Sequence, residues 1–296
     1  IAHTGSMTGS DEIIATMFKK YGIIRVDDVD ELIETVVLMT NTELARGDGV
    51  AMTTTSGGEA GMYADLGEEI GIRFADFQEK TKEKIKSVLP SFGSLGNPLD
   101  TTGNAAMDKS LYSACLNAIA EDDNVDVIAV SQMEITEEAL RENKATQVVV
   151  ESIQECKEKY RKPILLFTPN AGGADKEVAH ALAQKGIPLL VGAKSTLRAI
   201  RNLIQYSAFL TQRNKTHVSS QPIMNPISFR PAARVLTERE SQQIFKRCGI
   251  QVPDKILVHS VAEAIQAAET IGYPVVMKVE SADIPHNADA GGVKLN

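Results

Sequence analysis

An α/β protein with a flavodoxin-like, doubly wound, parallel five-stranded sheet is what this sequence predicts, and three observations carry the prediction. Five short apolar runs follow Gly49: VAMTTTS (50–56), IRFADF (72–77), VDVIAVSQM (125–133), PILLFTP (163–169) and IPLLVG (187–192). Amphipathic stretches long enough for helices separate them, which is the pattern of crossovers between parallel strands. Hydrophobic residues make up 43% of a 296-residue chain, which is material for more than one core.

Composition narrows the functional classes. A formal charge of −8 and an aromatic share of 5% argue against a nucleic-acid-binding surface. No apolar run approaches the roughly 18 residues of a membrane span. The first residues also lack the charged-then-apolar build of a signal peptide. Cys115, Cys156 and Cys248 lie far apart and fit neither a disulfide framework nor a CxxC metal site. They read as small hydrophobes in a reducing compartment, so the expectation is a cytoplasmic protein with no membrane and no nucleic acid among its partners.

Taken in order, residues 1–46 form a first block. DEIIATMFKKYG (11–22) sets Ile13, Ile14, Met17 and Phe18 at helical spacing and stops at Gly22. IIRV (23–26) reads as a short strand, and DDVDELIETVVLMT (27–40) as a helix with an acidic first turn. One strand and two helices cannot close a core, so this block reads as the tail of a second α/β domain that begins before Ile1. Residues 47–213 carry the five-stranded sheet. EAGMYADLGEEIG (59–71), KSLYSACLNAIAE (109–121), EEALRENKATQVVVESIQECKEKY (137–160) and DKEVAHALAQKG (175–186) read as its helices. STLRAIRNLIQYSAFLTQ (195–212) closes it, with Ser195 as N-cap. Residues 214–235 are rich in Pro, Asn and Ser without periodicity and read as a linker. Residues 236–296 start another domain: Thr237 and Glu240 stand at capping-box spacing. KILVHS (255–260) and PVVMKVE (274–280) read as strands around the helix VAEAIQAAETIG, and the chain stops in mid-pattern.

The chemistry concentrates in a few places. At TTTSGGEAGMYAD (53–65) a strand runs into Ser56-Gly57-Gly58 and a helix starts at once. Glycines let a ligand approach the backbone, and a helix N-terminus favours an anion, so this is either a phosphate-binding turn or a plain tight turn. SLGNPLDTTG (94–103) reads as a polar loop in which Asp100 can cap. Glu134 and Asn170 fall on the same strand-end rim as Ser56 and are candidates by position. Lys278 interrupts an apolar strand, so it either lies on an exposed face or meets a phosphate. His286 stands between Asp283 and Asp289, which suits a phosphoryl acceptor or a turn-stabilising residue. His3 sits among Thr, Gly and Ser, either as a mobile nucleophile or as an idle terminus. No two His or Cys share a metal-ligand spacing, and no GxSxG elbow is present.

Set side by side, these segments resemble the NDP-forming acyl-CoA synthetases, the ADP-forming acetate–CoA ligases related to succinyl-CoA synthetase. HTGSMTGSDE (3–12) resembles the family's phosphohistidine loop, which ends a succinyl-CoA-ligase-like flavodoxin-type domain. TTTSGGEAGMYAD resembles the glycine turn and helix facing that histidine, and GNPLDTTG a recurrent loop of the same domain. LTERESQQIFKRCGIQVP through PVVMKVESADIPHNADAGGVKLN resembles the opening of an ATP-grasp domain. Four such segments in the family's order cover essentially the whole chain.

The resemblance implies a relay in which acyl-CoA and phosphate give an acyl phosphate, the phosphoryl passes to histidine, and a nucleoside diphosphate collects it. His3 would carry the phosphoryl; Ser56, Gly57 and Gly58 would hold its charge; Lys278 would contact nucleotide phosphates; His286 would pass the phosphoryl onward. ATP or ADP, Mg²⁺ and CoA are the implied cofactors, with the CoA site mostly outside this segment. The implied partners are a carboxylic acid, CoA, phosphate and nucleotide, in a homo-oligomeric parent; the segment alone is expected to be inactive. Two departures stand out: Asn287 follows His286 where the family has Lys, and Glu59-Ala60 replaces Pro-Gly after the glycine turn. Glu59 opposes an anion unless it points away or stabilises an imidazolium. Two other readings are a ligand-sensing regulatory module of a protein acetyltransferase and a plain assembly module.

Overall fold

The computed structural model describes residues 10–90, 93–170, 172–215, 236–281, 284 and 291–295. The chain divides into two compact units, Ile1–His217 and Val218–Asn296. In the first, α1 (Asp11–Tyr21) and α2 (Val29–Asn41) precede β1 (Gly49–Thr54), α3 (Gly57–Ile70), β2 (Arg73–Phe74) and α4 (Glu79–Val88). Next come β3 (Leu99–Asp100), α5 (Thr102–Ala106), α6 (Lys109–Ala120) and β4 (Val127–Ser131). The unit ends with α7 (Glu137–Glu142), α8 (Lys144–Lys159), β5 (Ile164–Thr168), α9 (Lys176–Ala183), β6 (Leu189–Val191) and α10 (Ala193–Lys215).

The strands run parallel in the order β2-β1-β4-β5-β6, and β3 pairs with β1 on the same side as β2. This is the flavodoxin-like arrangement. Strands β1, β4 and β5 are buried along their whole length, which is why they read as unbroken apolar runs. Alternate residues feed two cores. Ala51, Ile128, Val130, Ile164 and Leu166 pack towards α6 and α8 with Leu116, Ile119, Val149 and Ile153. Val50, Met52, Val127, Leu165 and Phe167 face Leu38 of α2, Tyr63 of α3 and Leu197, Ile200 and Leu203 of α10. The chain turns right at β1 towards β4 after first going left to β2 and β3, so the carboxyl ends of β1 and β4 flank the topological switch point.

Helix α2 is anchored on α10 by buried charge. Glu31, fully buried, accepts from Asn202 Nδ2 at 2.9 Å and from Arg201 Nη2 at 3.1 Å. Its other oxygen accepts from the Asp27 N–H at 3.1 Å, while Asp28 caps α2 by accepting from Glu31 N–H at 2.7 Å. A buried carboxylate needs this set of donors, because an unpaired one is costly.

The second unit contains α11 (Glu238–Arg247), α12 (Val261–Ile271) and the antiparallel pair β7 (Val276–Lys278) and β8 (Val293–Leu295). Thr237 and Glu240 form a full capping box, and Ser260 caps α12.

Local structure departs from the sequence reading in five places. Residues 23–26 and 255–260 are not strands: apolar β-branched residues are present, but no neighbouring strand pairs with them among the described residues. The long helix expected over 137–160 is two, because Asn143 turns its side chain to cap Ala145 and Thr146 N–H. The last helix starts at Ala193, not at Ser195: Gly192, at φ 84°, turns the chain straight out of β6, and its carbonyl accepts from Thr196 N–H. The polar loop 94–103 contains β3, drawn in as Asn97 bonds the backbone of Val50, Met52 and Ala75.

Candidate functional site

The Ser56-Gly57-Gly58 turn lies where β1 ends and α3 begins, at the switch point. Ser56 is the N-cap of α3 and accepts from Glu59 N–H. The N–H groups of Gly57 and Gly58 have no hydrogen-bond partner among the described residues, and both glycines are exposed. Free donors at the positive end of a 14-residue helix form an anion-binding geometry. Space at Gly57 is tight: a Cβ there would lie 3.2 Å from Asp100 Oδ2, which would have to shift by a few tenths of an ångström. Gly58 is freer, with Ser56 Oγ at 3.8 Å from its Cβ position.

Asp100 reaches this turn from β3. Its other oxygen accepts from Thr102 N–H at 2.8 Å, holding Thr102 at φ 64°, a strained conformation for a β-branched residue. Thr101 fastens the loop to β1 through its N–H and Oγ1, both donating to the Thr54 carbonyl. Thr102 Oγ1 is buried and lacks a partner among the described residues.

Glu59 points away from the glycine N–H groups. Its Oε2 accepts from Thr54 Oγ1 at 2.5 Å and from Tyr63 Oη and Ser131 Oγ, each at 3.2 Å. Tyr63 and Ser131 also share a hydrogen bond of 2.7 Å. Burial, aided by Glu59, pushes the Tyr63 phenol far above its usual range, so it stays a neutral donor. These three hydroxyls come from β1, α3 and β4, and the register Thr53↔Val130 brings them together.

Elsewhere on the rim, Thr168 Oγ1 donates to the Met133 carbonyl at 2.8 Å, and Ile135 bridges Ala174, so the loops after β4 and β5 are tied to each other. Glu134 lines an open depression of about 470 Å³ with Thr136, Glu138, Asn143 and Lys144.

Lys278, in the second unit, ends β7 with its ammonium on Glu238 at 3.0 and 3.2 Å. Its side chain is 40% exposed on a strand whose three residues are all exposed, so it lies on an open face. Lys255 shares the same carboxylate. His3 and His286 lie outside the described residues. The structure therefore brings Ser56, Gly57 and Gly58 together in the first unit and places Lys278 in the second. Sequence reading missed Thr54, Tyr63 and Ser131; the i,i+4 spacing of Glu59 and Tyr63 was the available signal. Cys115 and Cys156 are buried, with thiols pushed up by burial to about 11 and about 12. Among the described residues no helix is long and apolar enough to cross a membrane.

Comparison with known proteins shows what this chain is similar to. Residues 1–39 match the family model of the succinyl-CoA ligase-like flavodoxin domain, and residues 229–296 match an ATP-grasp domain. The 4-hydroxybutyrate–CoA ligase (ADP-forming) of Nitrosopumilus maritimus is 30% identical over 305 aligned residues, covering 100% of this chain and 42% of that protein. The acetate–CoA ligase (ADP-forming) I of Archaeoglobus fulgidus is 31% identical over 308, with the same coverage of 100% and 42%. Among solved structures, an acetyl-coenzyme A synthetase 1 of Ca. Korarchaeum cryptofilum, in complex with phosphate and ADP, superposes with a TM-score of 0.56 at 22% identity. That match covers 72% of this chain and 45% of the other, and it speaks to the fold. The chain thus spans about two-fifths of the length of the curated relatives it matches. With a family model matched at each end and relatives of 30% and 31% identity aligned across all of it, the chain is similar along its whole length to the NDP-forming acyl-CoA synthetases.

Proposed function

We propose that this chain is part of an enzyme that interconverts acyl-CoA, ADP and phosphate with a carboxylic acid, CoA and ATP through a phosphohistidine. The open glycine turn at the switch point, in a chain similar to this family, carries the proposal. His3 attacks the phosphorus of an acyl phosphate; the N–P bond forms, the P–O bond to the acyl group breaks, and the carboxylate leaves. Gly57 and Gly58 N–H groups and the α3 dipole then hold the phosphoryl charge. In the second half-reaction His286 takes the phosphoryl, its N–P bond forming as the one to His3 breaks and the His3 imidazole leaves. A terminal phosphate oxygen of ADP then attacks that phosphorus, the N–P bond to His286 breaks and neutral imidazole returns, while Lys278 meets the nucleotide phosphates. Its exposed ion pair with Glu238 can be exchanged at little cost, since such pairs contribute only about 0–1 kcal/mol.

Domain boundaries follow the same reading: residues 1–46 end a flavodoxin-type domain, 47–213 form a complete one, 214–235 link, and 236–296 open the ATP-grasp domain. Mg²⁺ would neutralise the nucleotide's phosphates. The described residues hold no cluster of three or more His, Cys, Asp or Glu to ligate it, so no step is assigned through it. CoA, a cytoplasmic setting and a homo-oligomeric parent belong to the same proposal. The test is ATP formation by the protein that carries this chain, supplied with ADP, phosphate and a panel of acyl-CoAs. Formation of ATP with at least one acyl-CoA, abolished by His3→Ala, supports the reading; acyl-CoA hydrolysis without ATP sinks it.

A further inference from the structure

Three helices of this chain spell the same first turn, yet one of them uses its acid differently. Ser56 with Glu59, Thr237 with Glu240 and Ser260 with Glu263 each set a hydroxyl at the N-cap and a glutamate three residues on. At α11 the glutamate reaches back, and Thr237 N–H donates to Glu240 Oε2 at 2.9 Å. At α12 Glu263 likewise accepts a backbone N–H, from His259 at 2.8 Å. At α3 it does not: Ser56 N–H donates to Thr54 Oγ1 at 3.3 Å, and Glu59 is taken by the hydroxyls of Thr54, Tyr63 and Ser131.

Tyr63 is 0% and Ser131 1% exposed, so neither hydroxyl can turn to water. Each carries one proton. With 2.7 Å between them, one donates to the other and the remaining proton is left for Glu59. The pair therefore needs the carboxylate as acceptor, because a buried hydroxyl without one is costly. Thr102 is 8% exposed with Oγ1 unpartnered among the described residues, two positions after the Asp100 whose Oδ2 would lie 3.2 Å from a Cβ placed on Gly57. The first turn of α3 thus keeps the Gly57 and Gly58 N–H groups without a partner among the described residues, while Ser56 N–H, the donor that a capping-box glutamate takes, is held by Thr54.

We propose that Tyr63 and Ser131 are positioning residues: with Thr54 they hold the Glu59 carboxylate off the first turn of α3 and so keep that turn open to a phosphoryl anion. The inference rests on reading that turn as the phosphoryl-binding site. Cutting the two bonds sends the carboxylate back to Ser56 N–H, as at α11, and its charge then opposes the anion at close range.

Affinity for inorganic phosphate tests this directly, measured by ³¹P NMR or calorimetry on the whole 296-residue chain. The proteins are the wild type, the pair Tyr63→Phe/Ser131→Ala, and that pair carrying Glu59→Gln. The pair is expected to bind phosphate about tenfold more weakly, from one misplaced charge at a helix N-terminus. Adding Glu59→Gln is expected to restore affinity to within about twofold of wild type, because the returning side chain is then neutral. Unchanged affinity in the pair overturns the proposal. So does a loss that Glu59→Gln leaves in place, since the hydroxyls would then be supporting only the fold. Absence of phosphate binding in the wild type itself overturns the reading of the turn, and the proposal with it.

Discussion

Glu34 offers a stability experiment whose sign is fixed by burial. It lies on α2, 9% exposed. Burial pushes its carboxyl up to about 7; a backbone hydrogen bond from Val191 pulls it down and Asp30 raises it further. The folded state therefore holds this proton more tightly than the unfolded chain, whose glutamates titrate near the ordinary value of 4.5. The stability it contributes is complete below about pH 4.5 and is lost as pH rises through about 7. At 1.36 kcal/mol per pH unit, the window amounts to about 3 kcal/mol. Glu34→Gln keeps the shape and removes the ionisation. It should leave stability nearly unchanged at pH 4.5 and raise it by up to about 3 kcal/mol at pH 8. Urea unfolding of both proteins at the two pH values, followed by circular dichroism, measures the difference. An equal effect at both pH values, or a less stable variant at pH 8, would refute the reasoning.

Other predictions follow from single contacts. Glu31→Ala removes the buried partner of Arg201 and Asn202 and should cost about 3–5 kcal/mol, read as a lower urea midpoint. Gly57→Ala should weaken phosphate binding, because its Cβ meets Asp100 Oδ2 at 3.2 Å, whereas Gly58→Ala, with 3.8 Å of clearance, should keep the fold with the same thermal midpoint. A thiol reagent at pH 8 should label Cys248 in the native chain and spare Cys115 and Cys156 until denaturant is added; rapid native labelling of either buried thiol would contradict their burial.

The sheet was legible because three of its strands are buried on both faces and so spell unbroken apolar runs, set off by helical periodicity. The two-residue strand β3 was not legible: Leu99 and Asp100 sit in a polar loop, and only pairing with Thr53 and Thr54 makes them a strand. IIRV failed in the opposite sense, since β propensity without a partner strand makes no sheet. The break at Asn143 was hidden inside a periodic stretch, where one capping side chain outweighs the pattern. At the site, the strand–glycine–helix turn could be read from local sequence. The fate of Glu59 could not, because Thr54, Tyr63 and Ser131 meet only through the register of β1 with β4. Lys278 shows the same limit: alternation put it on a strand, while its partner Glu238 lies 40 residues away.

Phosphoryl transfer to His3 tests the central claim most directly. The protein that carries this chain is incubated with γ-³²P-labelled ATP and Mg²⁺, and the retained label is scored for acid lability and base stability. The account predicts label of that kind in the wild type, discharged by ADP and absent from His3→Ala. Undiminished label in His3→Ala, or label that resists acid, would contradict it.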